Sequence, residues 1–394
     1  LKDVTVPICL QSWYTVHMMT SIYLDYNATT PIDKEVADAM APYLYEHFGN
    51  PSSSHAYGRK AREAVENARV QVAGLLNCGP TELVFTSGGT ESNNMAIKGA
   101  AFAAREKGNH IITSSIEHPA VLQVCGYLEQ NGLSVSFLPV DELGVVSIET
   151  LDEAVTSETI LITVMHANNE TGVIQPIGEI SAFARGRGIL VHTDAAQSLG
   201  KIDVDVQKLG VDLLSVAGHK LYAPKGVGAL YVKEGIILEK LIHGANHERN
   251  MKAGTENVLE IVGLGKACEI AKRDLEKNNN HMRAMRDLLF EKLKAGIPGL
   301  KLNGHPDNRL PNTLSVGFPG VKADILLSKL ENVAASAGAA CHSEGVHVSG
   351  VLKAMKVPLE YAMGTVRFSV GKYTAVAEIE RAAEEIIREV SKLR

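Results

Sequence analysis

Residues 82–91 read Glu82-Leu83-Val84-Phe85-Thr86-Ser87-Gly88-Gly89-Thr90-Glu91: an apolar run, a glycine turn and the start of a polar segment. Glu82–Thr86 predicts a strand, Ser87-Gly88-Gly89 a tight turn, and Glu91–Lys107 a helix stopped by Gly108. The same texture continues downstream. His110–Ser114, Val135–Pro139, Thr159–Met165, Ile189–Thr193, Leu213–Val216 and Gly228–Val232 are strand-sized and separated by helical patterns. Strands alternating with helices imply an α/β fold, a mostly parallel sheet with helices on both faces. Ligands of such sheets bind outside the carboxyl ends of the strands. Polar clusters follow Phe85, Ser114, Met165, Val191 and Val216, all at those ends.

Beyond Gly254 the pattern changes. Gly263–Lys294 reads as a long charged helix with Asn278-Asn279-Asn280 as a soft point, and an α+β segment runs from Leu300 to Arg394. A last helix is expected to be capped by Thr374, with Ile379, Ala382, Ile386, Val390 and Leu393 on one apolar face. At 394 residues the chain is long enough for two lobes. A net charge of -6 argues against wholesale nucleic-acid binding. No apolar run is long enough to span a bilayer, so no membrane role is expected. The five cysteines, Cys9, Cys78, Cys125, Cys268 and Cys341, are odd in number and scattered. That is neither a disulfide framework nor a thiolate zinc site, and a reducing cytoplasm is the expected location. Residues 1–20 are read as an N-terminal extension outside the functional argument.

Three strand-end clusters carry chemistry. Ser87-Gly88-Gly89-Thr90-Glu91-Ser92 aims several backbone N–H groups at one point with a helix dipole behind them, which suits a phosphate. The alternative is a plain strand-to-helix turn; a P-loop lysine and a dinucleotide glycine signature are both missing. In Val191-His192-Thr193-Asp194-Ala195-Ala196-Gln197, Asp194 follows an apolar strand, where a carboxylate needs a cationic partner such as a protonated pyridine nitrogen. An N-cap is the alternative there. In Ser215-Val216-Ala217-Gly218-His219-Lys220 a lysine ends a buried strand, and desolvation lowers its pKa as a carbonyl-binding amine requires. Lys225, between Pro224 and Gly226, looks like a turn residue. A phosphate seat, a carboxylate for a ring nitrogen and an amine for an aldehyde are the fixtures that pyridoxal 5'-phosphate needs.

Further motifs stand in order: Tyr23-Leu24-Asp25-Tyr26-Asn27-Ala28-Thr29-Thr30-Pro31, Gly49-Asn50-Pro51-Ser52, Thr86-Ser87-Gly88-Gly89-Thr90-Glu91, Glu117-His118, Asn168-Asn169-Glu170-Thr171-Gly172, Gly218-His219-Lys220 and Gly254-Thr255-Glu256-Asn257. With them the chain, from Ile22 to Arg394, resembles the cysteine desulfurases of the class V aminotransferase family, which are related to nitrogen-fixation and iron–sulfur-cluster assembly proteins. The resemblance implies fold type I of the pyridoxal-phosphate enzymes, with a seven-stranded type of sheet. The large domain would span 33–275, and a small α+β domain, 21–32 with 276–394, would carry the active-site cysteine loop. Lys220 would hold the cofactor; Gly89, Thr90 and His219 would meet its phosphate, with Thr255 donated to the partner subunit of a homodimer. Asp194 would face the pyridine nitrogen and Gln197 the ring hydroxyl, while His118 would stack on the ring and assist proton transfer. Asn27, Asn169 and Arg367 would meet the substrate, Asn169 also touching the cofactor and Arg367 gripping the carboxylate with its planar fork. By itself Arg367, in Thr365-Val366-Arg367-Phe368-Ser369, reads as a strand residue on a solvated face.

Cys341 lies in Ala335-Ser336-Ala337-Gly338-Ala339-Ala340-Cys341-His342-Ser343-Glu344-Gly345, whose small residues predict a mobile, exposed loop. A thiol there, beside His342, reaches its thiolate more readily than Cys78, Cys125 or Cys268, which fit a core. The resemblance makes Cys341 the residue that takes sulfur from L-cysteine as a persulfide, releases alanine and passes sulfur to an acceptor or scaffold protein. It implies no intrinsic metal, with Cys341 able to ligate a transferred iron–sulfur cluster. Two other readings stand beside this one. Gly338-Ala339-Ala340-Cys341-His342 also resembles selenocysteine lyases, and a non-catalytic, regulatory member is the alternative from another class. The departures from the family are Ala217 where serine is frequent, Lys252 where arginine is common, and Gly244-Ala245-Asn246-His247-Glu248 in place of a more glycine-rich run.

Overall fold

The computed structural model describes residues 21–342 and 345–394, with the backbone alone over 339–347. Residues 1–20, with Cys9, and Ser343-Glu344 lie outside the described residues. A short strand, β1 (Ile22–Tyr23), precedes the main sheet, which comprises β2 (Leu83–Thr86), β3 (His110–Ser114), β4 (Ser134–Leu138), β5 (Thr159–Thr163), β6 (Leu190–Asp194), β7 (Leu213–Ala217) and β8 (Gly228–Val232). Their order across the sheet is β2-β8-β7-β6-β5-β3-β4. β3 to β7 are mutually parallel, and β8 runs antiparallel to both β7 and β2. β3, β5, β7 and β8 are buried along their whole length, as sheets covered on both faces require. One face packs against the helix Ala56–Leu76 and the first part of the helix Val258–Gly296; the other packs against the helices Gly89–Ala103 and Pro119–Gln130.

A buried histidine clips the central strands together. His192 on β6 shares a proton with Thr163 Oγ1 on β5 at 2.8 Å and with Ser215 Oγ on β7 at 3.0 Å. Burial pushes its imidazole down to about 3, so it stays neutral and able to serve one neighbour as donor and the other as acceptor.

The second lobe holds β9 (Lys301–Leu302), β10 (Thr313–Gly317), β11 (Val333–Ala334), β12 (Ser336–Ala337), β13 (Ala339–His342), β14 (Gly345–Val348) and β15 (Thr365–Ser369). β12-β15-β10-β9 form an antiparallel sheet, β1 pairs with β11, and β13 pairs with β14. The 39-residue helix Val258–Gly296 joins the lobes. Ile261, Leu264, Cys268 and Ile270 belong to the core under the main sheet, while Met282, Met285, Leu289 and Leu293 pack with Ile22, Leu24 and Phe368. The helix runs unbroken through Asn278-Asn279-Asn280, where a soft point was expected; Asn279 Nδ2 donates to Lys201 O at 2.8 Å, a tertiary contact that outweighs weak local propensity.

Two further expectations are corrected. The last helix is Val376–Leu393 with Ala375 as its N-cap, whose N–H is taken by Glu378 Oε2 at 2.7 Å. Thr374 Oγ1 accepts from Gly371 N instead. The segment around Cys341 is not a loop: its backbone is the strand β13, with Cys341 opposite Val346. The β-branched Val346 and Val348 supply the pairing strand that the small residues alone did not suggest.

One buried ion pair fixes the turn that precedes Thr255. Glu248, Arg249 and Asn250 all have positive φ (45°, 52° and 66°), a conformation unfavourable to residues with a Cβ. Glu248 receives both arms of the Arg69 fork at 2.8 Å and also the N–H of Phe85 at 2.9 Å. Both side chains are 4% exposed. Removing Glu248 leaves buried Arg69 with the solvated Glu66, at 3.2 Å, as its one remaining carboxylate among the described residues, which costs about 3 kcal/mol, the low end for a broken buried pair. Glu248→Ala is therefore expected to lower the unfolding free energy in urea by that amount, and by more than the double change Arg69→Met with Glu248→Gln. A loss below about 1 kcal/mol, the range of solvated pairs, would contradict this.

Candidate active site

The carboxyl ends of β3, β6 and β7 border a cavity of about 320 Å³, closed on the far side by Asn27, Ala28 and Arg367 of the second lobe. It collects Gly89, Thr90, His118, Asn169, Asp194, Gln197, His219 and Lys220 into one wall. Residues 89 to 220 thus meet because strands end side by side, while Asn27 and Arg367 reach them from the second lobe.

Lys220 follows β7 in the short turn Gly218–Lys220. Its Nζ donates to Asn27 O at 2.5 Å and to Ala28 O at 2.8 Å. Burial first, and Arg367 second, push the amine down to about 8, against the pull of Asp194 and Asp25. Free amine is therefore within reach near neutral pH, as attack on a carbonyl demands.

Asp194 ends β6. Its Oδ1 accepts from Ala196 N at 2.9 Å and its Oδ2 from Asn93 Nδ2 at 2.7 Å. Asn93 was not singled out in the sequence; its signal is an amide buried on an otherwise apolar helix face. Behind Asp194 lies Glu117, whose Oε1 accepts from Ser114 Oγ at 2.6 Å and Met165 N at 2.8 Å, while Oε2 is buried without a partner among the described residues. Burial, aided by Asp194, pushes Glu117 up to about 8, so it is a neutral acid at pH 7 and adds no second negative charge beside Asp194.

His118 caps the helix Pro119–Gln130, its Nδ1 accepting from Ala120 N at 3.1 Å. The ring proton is thereby assigned to Nε2. Burial lowers its pKa, opposed by Asp194 and reinforced by Lys220. His219 Nδ1 meets Thr29 Oγ1 at 3.2 Å and is pushed down to about 4 by burial and by Lys220, Lys225 and Lys201.

Arg367 on β15 is half-buried, not on a solvated face. Nη2 donates to Asp25 Oδ1 at 2.7 Å and Ser336 Oγ at 3.0 Å, Nη1 donates to Asn169 O at 3.0 Å, and Nε is buried without a partner among the described residues. Asp25 and Ser336 are holders that the sequence did not reveal. Asn27 is anchored rather than open: its Nδ2 donates to Asn169 O and Thr313 Oγ1, and its Oδ1 accepts from Asn312. What it turns to the cavity is the carbonyl that receives Lys220. Thr255 is exposed and outside the cavity lining. Lys225 is exposed as well. The Cys341 side chain lies outside the described residues. Burial pushes Cys78 and Cys125 up to about 12 and Cys268 higher, which makes all three poor nucleophiles.

The donors fit pyridoxal phosphate. At Gly88 the backbone takes φ +146°, and a Cβ on Gly228 would come within 2.7 Å of Gly88 Cα, so this turn is closed to larger residues. The helix that follows begins at Gly89, and the N–H groups of its first turn have no acceptor within the helix, which suits a phosphate. A Cβ on Gly89 would lie 3.2 Å from that of Ala217, so residue 217 borders the same turn and, as alanine, brings no hydroxyl to it. Lys252 lies 3.7 Å from Glu91 in that first turn. The described residues hold no cluster of three or more His, Cys, Asp or Glu suited to a metal ion.

Glu117 gives a pH signature. Its folded pKa, about 8, lies above the ordinary 4.5. The folded state then binds more protons than the unfolded chain between those values, so this group's stabilisation is full below 4.5 and is lost as pH rises toward 8. Glu117→Gln, neutral at every pH, is expected to gain stability relative to wild type between about pH 5.5 and 8 in urea unfolding. An equal difference at the two pH values would show that Glu117 is ionised in the fold.

Comparison with known proteins places the chain. The family Aminotransferase class-V matches residues 22–382. A cysteine desulfurase IscS of Dictyoglomus turgidum is 48% identical over 379 residues, 96% of each chain. Its counterpart of Methanosarcina thermophila is 47% identical over 95% of this chain and 93% of its own. Among solved structures, a NifS-like protein superposes with a TM-score of 0.89 at 37% identity, covering 94% of this chain and all of its own. SspA in complex with cysteine gives 0.79 at 39%, covering 90% of this chain and all of its own. The chain belongs to the class V aminotransferase family, whose members use pyridoxal phosphate, and within it to the cysteine desulfurases.

Proposed function

We propose that the protein is a pyridoxal-phosphate-dependent cysteine desulfurase that converts L-cysteine to L-alanine and transfers the sulfur to Cys341 as a persulfide, for iron–sulfur clusters or other sulfur compounds. The observation that carries this reading is the Lys220 amine, depressed to about 8, lining one cavity with Asp194 and the guanidinium of Arg367. Pyridoxal phosphate, when bound, supplies an aldehyde for the substrate amine and a protonated ring that withdraws electrons from Cα.

The chain's own groups do the rest. Asp194 would hold the proton on the ring nitrogen, Gln197 would donate to the ring oxygen, and the N–H groups of Gly89 and Thr90, with His219, would bind the phosphate. His118, whose ring proton is on Nε2, would stack on the bound ring and assist proton transfer. Arg367, aimed by Asp25, Ser336 and the Asn169 carbonyl, orients the substrate carboxylate. Lys220 then moves the proton at substrate Cα. The Cys341 thiolate attacks the substrate sulfur: an S–S bond forms, the Cβ–S bond breaks, and its electron pair returns to carbon, which is protonated to give alanine. The sulfur leaves on Cys341 for an acceptor protein.

This reading divides the molecule into a large domain, 33–275, and a small domain, 21–32 with 276–394, a division supported by the two cores that share the helix Val258–Gly296. It pairs two copies in a homodimer, with exposed Thr255 reaching the partner's phosphate site. No helix of the described residues is long and apolar enough to cross a membrane, in keeping with a cytoplasmic enzyme.

Cys341→Ala is expected to retain bound cofactor, with its visible absorbance, while losing sulfide release from cysteine with dithiothreitol by at least about a hundredfold. Turnover at the wild-type rate would remove Cys341 from the reaction.

A further inference from the structure

Lys201 lies behind the active site, and nothing in the mechanism above uses it. Its side chain is 5% exposed and lines a small chamber with Leu221, Ala267, Ile270, Ala271 and Met282. An amine is costly in such surroundings unless it is paired or hydrogen-bonded. The charges around it do not help. Burial first, then Lys220 and Arg367, hold it well below the usual lysine range. Lys372 and Asp33 border the same chamber but pair with each other. The one hydrogen bond of Lys201 Nζ among the described residues goes to Gln197 Oε1 at 3.0 Å.

Gln197 lines the cofactor cavity, with Asp194, His118 and His219, on the other side of this contact. Its Nε2 donates to Asn27 O at 3.0 Å, the carbonyl that Lys220 Nζ also reaches at 2.5 Å. Three hydrogen bonds therefore link Lys201 to Lys220 through one amide and one carbonyl. A glutamine amide carries two N–H donors and one acceptor oxygen. With Oε1 claimed by Lys201 and one hydrogen by Asn27, the second hydrogen on Nε2 remains for the cavity. Asn27 O, shared with Lys220, is a weaker anchor by itself.

We propose that Lys201 is a positioning residue that fixes the Gln197 amide so that it presents an N–H, not its carbonyl, to the ring oxygen of bound pyridoxal phosphate. This rests on the placement of Gln197 at that oxygen given under the proposed function. Without Lys201 the amide is held by Asn27 O alone, a carbonyl shared with Lys220, and its N–H is presented to the ring oxygen less firmly, which destabilises the oxygen's anion.

The test is a pH titration of the holoenzyme's visible absorbance. A ring oxygen that loses its donor holds the proton it shares with the Lys220 nitrogen more tightly, so the midpoint rises. Lys201→Met is expected to raise it by about one unit, Gln197→Ala by a similar amount, and the double variant no further, the sign of two groups acting as one. Lys201→Gln, which keeps a donor for the Gln197 carbonyl, is expected to restore the wild-type midpoint. A Gln197→Ala midpoint equal to wild type would refute the placement of Gln197 itself. A shift in Gln197→Ala without one in Lys201→Met, or additive shifts in the double variant, would overturn the role of Lys201 alone. Should Lys201→Met not fold, Lys201→Leu is read in its place: a raised midpoint supports the donor role, and an unchanged one overturns it.

Discussion

An amine held in a buried cavity by two carbonyl oxygens organises this molecule's active site. Lys220 Nζ rests on Asn27 O and Ala28 O, with no carboxylate in direct contact among the described residues. Burial and the nearby Arg367 make its protonated form expensive, and Asp194 and Asp25 limit how far the amine falls. The fold provides that balance. Parallel β6 and β7 end side by side, with Asp194 opposite Ser215 and Lys220 in the turn that follows β7, and β15 of the second lobe brings Arg367 across to them. The carbonyls of residues 27 and 28, just after β1, close the gap between the lobes.

Polar groups behind this wall carry its geometry. Asn93 holds Asp194, Asp25 and Ser336 hold Arg367, Ala120 fixes the tautomer of His118, and Lys201 holds Gln197. Glu117 contributes by being uncharged. Each reacting group thus has its orientation set by a partner that does not itself touch the reacting atoms, as precise catalysis requires.

Much of the main sheet was legible because its signal is local. His110–Ser114 and Gly228–Val232 were read with their observed bounds, and the other strands of this sheet to within two residues, since each is an apolar run between turn residues. Lys220 was legible for a chemical reason: a lysine just after a buried, mainly apolar strand has few structural uses. Contacts between distant segments were not. Arg367 looks like a surface strand residue until Asp25, some 340 positions away, is seen to bind it. Lys201 follows Gly200 as any turn lysine might, and its burial depends on Leu221 and on the helix Val258–Gly296. The hairpin at Cys341 escaped notice because its strand-forming residues, Val346 and Val348, follow the small-residue run instead of lying within it.

The most direct measurement is borohydride reduction of the holoenzyme followed by mass mapping of its peptides. Reduction fixes the cofactor to whichever lysine holds it. A phosphopyridoxyl group on the peptide containing Lys220, and on no other, is the predicted result. The label on Lys225 or Lys201, or no label on a protein that nevertheless desulfurates cysteine, would contradict the reading of this site.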